Sequence, residues 1–143
     1  MPYRYLDDIA TADVAFEARG DTLEEIMVAS ADATMNVMVE DLDSIADRVR
    51  RPIDVQAPEP DMLLYALLEE LVYRKDAERL LLRVPSVHIE ERIGELALHA
   101  EAYGETLDPG RHRLLVDVKA VTLHRFLVER TDLGWRATVI LDI

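Results

Sequence analysis

"TADVAFEARGDTLEEIMVASADATMNVMV", Thr11 to Val39, is the stretch whose reading decides the fold. It opens by alternating. Val14 and Phe16 fall on one face and Ala15 and Glu17 on the other, the period of a half-buried strand. Gly20 then turns the chain, and Thr22 with Glu25 makes the T-x-x-E capping box that starts a helix. Leu23, Ile26, Met27, Ala31, Thr34, Val37 and Met38 recur at helical spacing and predict an amphipathic helix to about Val39. One residue is out of keeping. Asp13 stands at the head of the strand, although aspartate is among the poorest strand formers. Its plain reading is the end of a loop; the sharper one is a ligand.

Working outward, "RVRRPIDVQA" reads as an edge strand, because Pro52 cannot donate to a ladder. "PEPDMLLYALLEELVYRK" predicts a second helix, with prolines at its start and Arg74 and Lys75 at its end. Leu64, Leu67, Leu68, Leu71 and Val72 form its apolar face. "LLLRVPSVHIEE" and "ELALHAEAY" flank Gly94 as a hairpin, and "LDPGRH" is a turn. "LLVDVKAVTLHRFLVER" and "WRATVILDI", joined by "TDLG", predict a second hairpin. The expected fold is α+β: two helices packed on one face of a mostly antiparallel sheet of about six strands, in one domain over 1–143.

Composition narrows the function. A chain of 143 residues with half of them hydrophobic is long enough for a proper core. There is no cysteine, which excludes disulfides, thiolate metal sites and cysteine nucleophiles. No apolar run is of membrane-spanning length, and the polar "MPYRYLDD" is not a signal peptide, so a cytoplasmic, membrane-free protein is expected. The net charge of −13 argues against direct nucleic-acid binding and suits a basic protein partner, metal cations or plain solubility.

Familiar catalytic motifs are missing: no G-x-S-x-G elbow, no Walker loop, no G-x-G-x-x-G. His88, His99, His112 and His124 lack zinc-ligand spacing. Lys119, read inside the strand "DVKAVTLH", shares a face with Asp117, Val121 and Leu123, as a snorkelling lysine at a sheet margin would. The closing "LDI" places the Asp142 carboxylate one residue from Ile143 and its α-carboxylate. Two anions this close repel unless something positive lies between them. Hard cations take oxygen ligands alone, and a third carboxylate from another strand would complete a credible site. Spacing does not say whether Asp13 is that third ligand, and a solvated chain end is the plain alternative.

"TADVAFEARGDTLEE", "AYGETLDPGRH", "DVKAVTLH" and "GWRATVILDI", in order and over essentially the full length, resemble the archease family. That resemblance implies the family's α+β fold and a role as accessory factor of the RtcB-type tRNA-splicing RNA ligase. In that role a family member promotes guanylylation of the ligase by GTP and its multiple turnover. It further implies a metal site, calcium in the usual description, on Asp13, Asp142 and Ile143. Oxygen ligands leave magnesium and manganese open as well. Lys119 and His124, within a family-like motif, are candidates to face the partner. Where the family carries a histidine before Thr-Ala-Asp, this chain has Ala10, and Asp7 and Asp8 are candidate substitutes. The expected protein is therefore not an enzyme. Its rivals are a general chaperone or oligomerisation modulator using Met27, Met35 and Met38, and a metal-dependent phosphoesterase.

Overall fold

The computed structural model describes residues 2–6 and 13–143, so Asp7, Asp8 and Ala10 lie outside the described residues. Eight strands, two α-helices and one short 3-10 turn are described, in the order β1 (Tyr3–Leu6), β2 (Asp13–Gly20), α1 (Leu23–Met38), the 3-10 turn (Leu42–Ser44), β3 (Val49–Ala57), α2 (Pro60–Glu78), β4 (Leu80–Arg83), β5 (His88–Arg92), β6 (Glu95–Thr106), β7 (Ala120–Thr131) and β8 (Gly134–Asp142). The α+β class holds, but the strands form two antiparallel sheets rather than one. The first runs β1-β2-β8-β7. In the second, β6 pairs with β3 along one side and with both β4 and β5 along the other.

Two local causes account for the extra strands. Pro85 offers no N–H to a ladder, so "LLLRVPSVHIEE" divides into β4 and β5 instead of running as one strand. The short β1 adds an edge beside β2, with Tyr5 opposite Phe16. Pro52 lies in β3, an edge strand as its chemistry requires.

The capping box forms: Thr22 Oγ1 accepts from the Glu25 N–H at 3.1 Å, and Glu25 reaches back to the Asp21 N–H at 2.6 Å. Beyond its first turn, α1 is buried on nearly every side rather than amphipathic. Its alanines, serine and threonine let backbone approach closely, and each helix touches strands of both sheets. Met27, Met35 and Met38 are consequently core residues, not adaptable surface contacts. Leu63, Leu64, Leu67, Leu68 and Leu71 of α2 join Phe16, Val139 and Leu141 in the same core. Each such side chain contributes about 1.5–3 kcal/mol on burial.

The β7–β8 hairpin closes through Thr131 to Gly134, but β7 starts only at Ala120. Lys119 therefore lies outside the strand, and the alternation read through Asp117, Lys119 and Val121 does not hold. A bulge between Thr122 and Leu127 further shifts the register, with Arg125 at φ 53°. Such irregularity is common on an edge strand, which this is.

Candidate functional site: a carboxylate pair at a strand end

Asp13 and Asp142 are direct partners in the β2–β8 ladder, and Ala120 of β7 pairs with Asp142 on its other side. Directly opposed residues share a face with Cβ atoms about 4.5–5.5 Å apart. Both aspartates are part-buried, and among the described residues neither makes an ion pair. The next row inward on that face is Ala15, Ile140 and Thr122, the first two buried. Thr122 Oγ1 is also buried, with no hydrogen-bond partner among the described residues. Ile143 packs its side chain against the core cluster, which keeps its main chain beside Asp142. Among the described residues no ion pair neutralises either carboxylate, and no cluster of three acidic or histidine side chains forms there, so the side chains supply two carboxylates. Oxygen donors of this kind suit a hard divalent ion, with main-chain oxygens or water completing the set.

Lys119 and His124 both have exposed side chains. The Lys119 backbone touches the carboxylate end directly, its N–H donating to the Asp142 carbonyl at 2.8 Å. His124 lies further along, in the β7 bulge.

Two polar networks were not evident from sequence. Lys75 is buried on α2, with Nζ donating to Asp117, Asp76 and the Val118 carbonyl. The second network centres on Glu105, which is buried and meets His112, Arg111, Arg48 and the Ala46 N–H. Burial works against its charge, but the Ala46 N–H, His112 and Arg111 outweigh it and hold the Glu105 pKa down to about 2. Glycine-proline turn chemistry in "LDPGRH" marked a turn; only the fold shows that the turn returns His112 to Glu105. Of the four histidines, His112 is the one that is fully enclosed and satisfied, while His99 hydrogen-bonds Asp54 at 2.6 Å.

The fold and this site define a class: an α+β protein of two antiparallel sheets joined by two helices, with paired carboxylates where β2 and β8 end. A model of the Archease protein family matches residues 3–143. "Protein archease" of Pyrococcus furiosus is 40% identical over 134 residues, covering 93% of this chain and 94% of that one. "Protein archease" of Methanosarcina mazei is 33% identical over 142 residues, covering 99% and 95%. The solution structure of Methanobacterium thermoautotrophicum protein 1598 superposes with a TM-score of 0.85 at 32% identity, over 99% of each chain. The crystal structure of a Thermotoga maritima archease, described as a possible chaperone, shares the fold at a TM-score of 0.58 and 16% identity, covering 94% and 93%. The chain belongs to the archease family. Among the described residues no helix is long and apolar enough to cross a membrane.

Proposed function

We propose that this protein is a cytoplasmic, non-enzymatic activator of an RtcB-type tRNA-splicing RNA ligase, promoting its guanylylation and repeated turnover. Family membership supports the reading, and one observation carries it: Asp13 stands directly opposite Asp142 with no cationic partner among the described residues. The two carboxylates and the Ile143 main-chain oxygens hold a divalent cation, calcium in the first instance. A cation held there supplies charge neutralisation for transfer of a guanylyl group. The chain's own residues present this end to the basic, nucleotide-binding mouth of the ligase. The net charge of −13 steers the encounter, and Lys119 lies at the same end. Phosphoryl-type transfers depend mainly on positioning and charge, so a partner without a nucleophile can accelerate one.

Multiple-turnover ligation by purified ligase, with and without this protein, tests the proposal. Stimulation is expected from the wild type and not from Asp13→Ala or Asp142→Ala. Stimulation by both variants at the wild-type level would remove the carboxylates from the mechanism. A chaperone-like role is the second reading, favoured by Leu115, Val116, Leu123 and Leu127, which are 51%, 44%, 56% and 46% exposed. Aggregation suppression that persists in Asp142→Ala would support it.

A further inference from the structure

We propose that Lys75 is the positioning residue of the carboxylate end, holding Asp142 and Ile143 in place through the single peptide group between Val118 and Lys119. Its consequence for cation affinity rests on the functional reading above; the positioning itself does not. Lys75 Nζ donates to the Val118 carbonyl at 2.8 Å. The amide of the same peptide, the Lys119 N–H, donates to the Asp142 carbonyl at 2.8 Å. Two hydrogen bonds at opposite ends of one peptide group polarise it in the same sense, and each strengthens the other.

Regular pairing does not orient this peptide. Residues 114–119 lie outside the strands, β7 begins at Ala120, and β8 ends at Asp142. The peptide is held instead between Lys75 on α2 and the fully buried Val118 side chain. Asp142 is thus held on one side by its ladder partner Asp13 and on the other by Ala120, where the relay from α2 adds a bond to its carbonyl. The lysine does this without spoiling the negative field. Its side chain is only 5% exposed, yet Asp117 at 2.5 Å and Asp76 at 2.6 Å neutralise it. Burial disfavours the ammonium, but these carboxylates outweigh it and hold its pKa above the ordinary lysine range. Lys75 is a donor at any physiological pH.

The experiment is calorimetric titration with calcium together with hydrogen exchange at the Lys119 amide of the calcium-free protein. In Lys75→Met, calcium affinity falls by about tenfold or more, as for loss of a group that orients metal ligands, and Lys119 exchanges faster. Lys75→Gln keeps a neutral donor and restores most of both. Leu71→Ala, one turn earlier on the same helix, lowers stability but leaves calcium affinity unchanged, which separates positioning from general loosening. Wild-type affinity in Lys75→Met, or an equal loss in Leu71→Ala, overturns the inference. If the wild type itself binds no calcium, the carboxylate reading falls and Lys119 exchange decides alone. Protection lost in Lys75→Met and kept in Lys75→Gln upholds the positioning; unchanged protection in Lys75→Met refutes it.

Discussion

His112 donates its Nε2–H to Glu105 across 3.0 Å, because its Nδ1 already accepts the Asp108 N–H at 3.0 Å. The turn thus fixes the ring's tautomer and aims it at the carboxylate, alongside Arg111 and the Ala46 N–H. The chain from Ala46 to His112 is tied to one buried anion.

That anion makes stability depend on acid. The Glu105 pKa in the fold, about 2, lies below its ordinary value of 4.5, so its contribution is fully present above pH 4.5 and is lost as pH falls toward 2. Urea midpoints should fall across this window in the wild type, and Glu105→Gln should be less stable at pH 7 yet approach the wild type near pH 2. Parallel pH profiles for the two proteins would contradict the assignment.

Asp13 and Asp142 should be mutually repulsive when no cation is present. Like charges directly opposed across a ladder cost about 0.2–1 kcal/mol. Asp142→Asn is therefore expected to melt slightly higher than the wild type in chelator. Added calcium should raise the wild-type melting temperature and leave the variant where it was. The reverse ordering in chelator would show that the pair is not strained by charge.

Gly104 has no room for a methyl group. A Cβ there would stand 1.8 Å from the Leu81 carbonyl oxygen, and that neighbour is backbone, which cannot rotate away. Gly104→Ala should force β4 from β6 and cost about 1–3 kcal/mol or more. Chemical denaturation reads this directly, and a loss of under half a kcal/mol, the range of ordinary surface changes, would show that the strands yield freely.

Thr22→Ala removes the acceptor for the Glu25 N–H at the start of α1. The expected loss is about 1 kcal/mol, with Thr22→Ser restoring it. Equal stability of all three proteins would mean that water replaces the cap without cost.

Legibility followed the range of the forces. The β2–turn–α1 unit, the Pro60 helix start, the Pro52 edge and the closing hairpin rest on neighbours a few residues apart, and all were readable. The break at Lys119 was not. "DVKAVTLH" alternates well enough for a strand, but the Val118 carbonyl accepts from Lys75, 43 residues earlier, a partner no local pattern shows, and regular pairing begins only at Ala120. Glu105 was hidden for the same reason, since its partners arrive from Ala46, Arg48, Arg111 and His112. At the candidate site, chemistry pointed to Asp142 and the family likeness to Asp13. Their pairing is a fact of register, and no spacing along the chain contains it.

Register has one more implication. Successive residues of β8 face opposite ways, and Leu141 is in the core while Asp142 is on the other face. The distance from the Gly134 turn to Asp142, counted in residues, therefore decides whether a carboxylate meets its partner or is driven into hydrocarbon. Loss of one residue anywhere along that arm inverts every side chain beyond it. The hairpin tolerates changes of residue type far more readily than changes of length, and it is in this sense a ruler.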